Sequence, residues 1–340
     1  MQQALTVSSF LLISWLHFSF VHGQVSDLAA DKRYLREVVE AHLANLEGWQ
    51  RFDVLLRYDM VGHGRLYEDD GAFLSGPSSM SVEVRKKGLV RLVVDFERDC
   101  VLILNRKEDE AQIFDSLDQE RGDPIRRSDD RMVVVDKSRR IGVGRNLPGG
   151  AAEMIEIPPI ESLLREFSVP NLKAFGTGYS WDSWRSTVLI DSLNYQSQPD
   201  FISSVSNVGK ERYQVRLDGK SSNRESENQP RAFIDWDYSD NIPIKYVIYP
   251  SKSSTKPTTL ETVEWKKVNG SALPHTSRRS FSSTDAFDNG LKFYVEYEQT
   301  TELHWFSFNE ELADELFDPN LLKDRAKVDE LLSDSVFEKK

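Results

Sequence analysis

The sequence predicts an α+β fold in which helices lie on one face of a large antiparallel β-sheet. Three observations carry this. Apolar and polar side chains alternate with a period of two over most of the chain. Helix-spaced apolar residues precede that pattern and return near its middle. No strand–helix–strand rhythm of the kind a parallel sheet requires is visible. With 340 residues, 39% of them hydrophobic and 29% charged, the chain can bury a sizeable core.

Residues 1–23 carry no Lys, Arg, Asp or Glu, and Phe10 to Phe20 is mostly apolar. The run is too short to cross a bilayer comfortably, and Val21 and Gly23 are small residues at the positions a signal peptidase reads. The reading is a signal peptide cleaved near Gly23, exporting the chain to a periplasmic or extracellular space with no transmembrane span in the mature protein. The segment before the apolar run has no Lys or Arg, which leaves an uncleaved anchor or a buried N-terminal helix as alternatives. Cys100 is the only cysteine. It therefore supplies no intramolecular disulfide, and in its strand-like setting it reads as a small buried hydrophobe.

A leading helix is expected over 26–46, where Leu28, Leu35, Val38, Val39, His42, Leu43 and Leu46 recur at helical spacing and Gly48 ends it. Strands follow around Phe52 to Tyr58, Val82 to Val84, Leu92 to Phe96 and Val101 to Asn105. Val61 to Pro77 reads as Gly-rich and irregular, and Arg106 to Arg131 as a charged loop or short irregular helix. Two short strands, Met132 to Val135 and Arg139 to Val143, lead to a helix inserted at 160–168, where Ile160, Leu163, Leu164 and Phe167 share a face. Six strand candidates come next: Thr187 to Ile190, Tyr213 to Leu217, Ala232 to Tyr238, Ile244 to Tyr249, Thr262 to Val268 and Leu291 to Glu302. The organisation is thus a sheet domain over 24–309 and an acidic, amphipathic helical segment over 310–340, divided by Pro319.

Composition excludes several chemistries. A net charge of -12, from 43 basic and 55 acidic residues, repels phosphate backbones, so no nucleic-acid partner is expected. The six histidines show no metal-ligand spacing, so no metal or cofactor is expected, and His42 and His63 are assigned structural or surface roles. Gly178-Tyr179-Ser180 lacks the closing glycine of a nucleophile elbow. Asp235 and Asp237 share a strand face, which permits acid–base work or cation binding, but a solvated strand face is the favoured reading. No catalytic residue is assigned. Aromatic residues are the most informative local feature: Trp49, Phe52, Tyr58, Trp181, Trp184, Trp236, Trp265 and Trp305 fall in or beside strand candidates. There they can line a ligand hollow on a curved sheet, or simply pack a core.

The chain resembles the periplasmic lipoprotein-carrier and sensor group, the outer-membrane lipoprotein-sorting proteins and their relatives, particularly divergent exported proteins of planctomycete-type bacteria. The resemblance rests on the export signal, on Asn45-Leu46-Glu47-Gly48-Trp49 entering Phe52-Asp53-Val54, and on the hairpins Val90 to Asp95 and Cys100 to Asn105. It rests also on Phe233 to Lys245, with its acidic turn, and on Glu264 to Gly270 followed by Pro274. It implies a half-barrel: a strongly curved antiparallel sheet whose hollow, covered by helices, receives acyl chains. The expected function is then non-enzymatic binding of a lipid or lipoprotein acyl chain. The alternatives are an envelope interaction or sensor protein without a small ligand and, last, a secreted hydrolase using Asp235 and Asp237.

Overall fold

In the computed structural model one antiparallel sheet organises the chain. The structure describes residues 41–42, 44–46, 48–66, 80–115, 117, 119–137, 139, 141–145, 151–157, 159–167, 169, 172, 175–176, 203–209, 212–218, 231–237, 240–251, 253–286 and 291–338. The expected signal peptide, most of the leading helix, the strand at 187–190, Trp181 and Trp184 lie outside them.

The strands are β1 (Arg51–Leu66), β2 (Ser81–Asp95), β3 (Cys100–Phe114), β4 (Ile125–Asp136), β5 (Ile141–Arg145), β6 (Glu153–Met154), β7 (Ser203–Gly209), β8 (Arg212–Asp218), β9 (Arg231–Asp237), β10 (Ile242–Tyr249), β11 (Thr259–Val268), β12 (Ser271–Ala286) and β13 (Lys292–Phe308). Their order is β6-β5-β4-β3-β2-β1-β13-β12-β11-β10-β9-β8-β7. Each strand therefore pairs with its sequence neighbour, except where β1 closes on β13 and joins the two meanders. Tight turns make this possible. Asn269 and Gly270 both take positive φ, 51° and 83°, between Val268 and Ser271, the two-residue Asn-Gly hairpin that matches strand twist.

Two expectations are corrected. The stretch after Val61 is not irregular at first: β1 runs on to Leu66, and His63 sits on that strand rather than in a loop. Its glycines make room for aromatic rings. A Cβ on Gly62 would lie 2.4 Å from the Tyr297 ring. Likewise, Arg106 to Arg131 is mostly strand, because β3 and β4 extend through it. Cross-strand charge pairs such as Arg106 with Asp130 (3.1 Å) and Arg126 with Glu110 (3.5 Å) replace the apolar alternation there, which erased the sequence signal. Strand β12 was also missed, since its Ser, Thr and Arg content hides a strand whose neighbours lie on both sides.

The sheet curls over one face, here called the front. Lys86 on β2 lies 2.8 Å from Asp285 on β12. The register carries Lys86 through Met60 and Gln299 to Arg279, six residues short of Asp285 on β12. On a flat sheet that offset and three strand spacings separate the two by about 24 Å, well beyond side-chain reach. Curvature brings them together.

At one end of the front face, Trp49, Phe52, Val54, Leu56, Leu92, Ile103, Val133 and Leu303 form a buried floor. Leu46 from the end of the leading helix covers it, together with the mid-chain helix (Ile160–Glu166) and the segment after it. The back face is covered at the same end by the acidic C-terminal segment. That segment has 3-10 turns at Asp314–Phe317 and Pro319–Lys323, then short helices Arg325–Leu331 and Ser335–Glu338. Leu312, Phe317, Leu322, Val328 and Leu332 pack on Leu55, Val93, Leu102, Leu104 and Val134. Ion pairs Arg98–Asp314 (2.6 Å) and Arg106–Asp329 (2.9 Å) tie it down. Beneath it, the buried pair Arg91–Asp53 (2.6 Å) stacks against Phe306, with the guanidinium 3.4 Å from the ring centre.

Candidate functional site

The front face is the candidate site, since curvature, cover and most of the aromatic residues meet there. Antiparallel register explains the gathering. Residues directly paired across strands share a face, so one row of pairs reads across the sheet. At the covered end, the row Trp305–Val54–Leu92–Ile103–Val133 is apolar throughout.

Six of the eight aromatic candidates are described, in two groups and a single residue. Trp49 sits edge-on to Phe52 (6.3 Å), Trp305 (5.6 Å) and Phe308 (5.8 Å). Trp305 donates its indole N–H to the Pro274 carbonyl (2.8 Å). In the second group, His42 of the leading helix stands edge-on to Trp236 (5.3 Å) and Trp265 (6.2 Å), and Trp265 donates to the Pro243 carbonyl (2.7 Å). Tyr58 lies apart, over Gly88 on the facing strand, where a Cβ would come within 2.3 Å of its ring. Trp49, Phe52, Tyr58 and Trp236 are buried, and Trp265 and Trp305 partly so.

The cover supplies Ile160, Leu163, Leu164, Phe167, Val169, Leu172 and Phe175 to the same cluster. Among the described residues, three hydrogen bonds tie it to the sheet. Asn105 Nδ2 donates to the Phe167 carbonyl (2.6 Å), Arg131 Nη1 to the Glu166 carbonyl (3.3 Å), and the Gly176 amide to Glu261 Oε2 (3.2 Å).

Farther along the face the apolar rows give way to a polar one. Glu261, Arg279, Gln299, Met60, Lys86, Asp109 and Arg127 pair in sequence across β11, β12, β13, β1, β2, β3 and β4. Glu261 is buried, and its carboxyl accepts from Ser277 Oγ (2.9 Å). Burial raises its pKa, with the Arg279 charge opposing. Asp109 is shifted upward for the same leading reason, against Lys86. Beyond this row a second apolar cluster, including Val84, Val295 and Tyr297, closes the far end. Sequence reading missed the polar row, because its six polar members lie on six strands, interrupted by Met60, and each looks like an ordinary polar residue in alternation.

Burial lowers the His42 pKa to about 4, with the Asn241 backbone pulling the other way, so the ring is neutral at pH 7. Burial, followed by the nearby Asp136 charge, pushes the Cys100 thiol up to about 11. Asp235 and Asp237 flank the buried Trp236, and alternation points them to the opposite face. Asp235 there accepts from Gln214 Nε2 (2.8 Å) and lies 4.0 Å from Lys245. Among the described residues no group of three or more His, Cys, Asp or Glu could hold a metal ion. No helix among them is long and apolar enough to cross a membrane. The back face carries a groove of about 930 Å³ beside Asp334, lined by charges of both signs, among them Arg57, Lys87, Asp59 and Glu298.

No family model matches the sequence, and no curated protein matches it. Among solved structures, the chain is similar to a DUF1329 family protein from Desulfovibrio piger, with 10% identity over 84% of this chain and 97% of that one, at a TM-score of 0.31. It is also similar to the COG4313 outer membrane channel from Pseudomonas putida, with 9% identity over 75% and 96% and a TM-score of 0.24. A third is a beta-barrel-like protein of domain of unknown function DUF1849 from Brucella abortus, with 8% identity over 76% and 100% and a TM-score of 0.16. Likenesses at this level establish no shared function.

Proposed function

We propose that this is an exported, non-enzymatic binding protein that takes an amphiphilic ligand, such as a lipid or lipoprotein acyl chain, into the hollow of its curved sheet. The observation that carries the reading is the covered apolar floor. A continuous apolar surface on the concave side of the sheet is occupied by a short segment that packs on it through apolar side chains, with three hydrogen bonds to the sheet among the described residues.

Magnitudes make exchange feasible. Seven apolar side chains of the cover at about 1.5–3 kcal/mol each bring about 10–20 kcal/mol of gross burial. A saturated chain of about sixteen carbons, at about 0.8 kcal/mol per methylene, brings about 12 kcal/mol to the same surface. Ligand and cover are therefore matched competitors, and an acyl chain entering the hollow displaces the cover. Native mass spectrometry of the protein purified from an exporting host, followed by solvent extraction, tests this. A stoichiometric lipid adduct is expected. A bare protein mass, together with no saturable uptake of a fluorescent fatty-acyl probe, would overturn it.

A further inference from the structure

We propose that Arg279, with Gln299 beside it, forms the head-group site for a ligand whose acyl chain lies on the covered floor, and that the head carries a carboxylate next to a hydroxyl or amide N–H. This deepens the reading above and rests on it.

The polar row crosses the front face between two apolar clusters, where the head of an amphiphile would come to rest once its tail lies on the floor. Its cations are not equivalent. Lys86 is bound to Asp285 at 2.8 Å and lies 4.9 Å from the Tyr297 ring centre, and Arg127 is also engaged. Arg279 has no ion pair among the described residues. Its guanidinium lies 4.8 Å from the Phe281 ring centre, and its Nε is a buried donor without a hydrogen-bond partner.

The acid nearest Arg279 feels its charge but spends its hydrogen bonds elsewhere. Glu261, its cross-strand partner, is bound by Ser277 Oγ and by the Gly176 amide at the end of the cover. On the other side Gln299 is 4% exposed. Its Nε2 donates to Thr301 Oγ1 (3.0 Å), and its Oε1 is a buried acceptor with no donor. An unpaired guanidinium Nε–H beside an unpaired amide oxygen asks for an anionic oxygen and a neighbouring donor. A buried group of either kind left unpaired is costly, which makes the pair a recognition site rather than filler. The row also couples head to cover, because Glu261 holds Gly176 from the position next to Arg279.

The test compares β-hydroxydodecanoate, dodecanoate and dodecanol binding to the full chain, to Arg279→Gln, to Arg279→Lys and to Gln299→Leu by isothermal titration. Wild type should rank them in that order of affinity. Arg279→Gln should cut carboxylate binding by about 10- to 100-fold while leaving dodecanol unchanged, as expected for one charge-assisted hydrogen-bonded contact, and Arg279→Lys should restore part of the loss. Gln299→Leu should erase the preference for the hydroxylated acid alone. If Arg279→Gln leaves the carboxylate-to-dodecanol ratio unchanged, the head-group site is wrong while amphiphile binding stands. If none of the three probes binds wild type, both readings fall.

Discussion

Truncating Leu164 in the mid-chain helix separates a competing cover from a structural core. Its side chain is fully buried on the front face, among Ile160, Leu163 and Phe167 of the cover. A Leu→Ala change at such a site costs about 2–5 kcal/mol through lost transfer energy and the cavity left behind. If the cover and an acyl chain compete for one surface, that cost falls on the covered state and not on the liganded one. Affinity for the chain should then rise by the same free energy, capped by the docking energy of the cover. At about 1.4 kcal/mol per tenfold, a gain of about 30-fold or more is expected. The assay is a titration of a fluorescent fatty-acyl probe into wild type and Leu164→Ala, with a urea melt of each as the stability control. A variant that melts earlier but binds no tighter, or binds more weakly, would show that Leu164 belongs to the ligand floor or to an obligatory core, and would refute the competition.

His42 should make the protein acid-sensitive. Its pKa is about 4 in the fold, against about 6.5 unfolded, so the unfolded chain takes up the proton first. Stability from this group is complete above pH 6.5 and is lost as pH falls toward 4. The loss should reach about 2 kcal/mol by pH 5 and about 3 kcal/mol near pH 4. Urea melts at pH 7 and pH 5 should show this loss in wild type and not in His42→Phe. Gly88→Ala should destabilise by about 1–3 kcal/mol, because the new Cβ would meet the Tyr58 ring at 2.3 Å. In the background of Tyr58→Ala the same change should cost clearly less, a coupling that a double-mutant cycle measures. Cys100, buried with its thiol pKa raised to about 11, should resist an aromatic disulfide reagent at pH 8 in the native protein and react at once in 6 M guanidinium.

How much of this was legible depended on where each pattern was written. Runs such as Leu92 to Phe96 and Val101 to Leu104 announced strands, though they are buried on both faces rather than one, and the helical spacing of Ile160, Leu163, Leu164 and Phe167 announced the cover, because burial of one helix face imposes a period. The outer halves of β3 and β4 and all of β12 did not, since cross-strand ion pairs and hydroxyls stabilise them and leave no apolar period to read. Trp49, Phe52 and Trp305 were visible as aromatic residues near strands. Their edge-on packing depends on β1 pairing with β13, at a sequence separation of about 250 residues that local patterning does not reveal. The polar row failed to show for the same reason. Arg279 becomes a candidate only when register sets it beside Gln299 and Glu261 and curvature turns all three inward.

An acyl chain entering the front face should drive the cover off it. Amide hydrogen exchange of the segment 160–167, with and without saturating dodecanoate, reads this directly. The Phe167 amide, bonded to the Leu163 carbonyl at 2.9 Å, should be protected in the free protein and lose protection by at least tenfold when the chain binds, while β1 and β13 stay protected. Unchanged or increased protection of that segment at saturation would show that the cover stays in place when the chain binds.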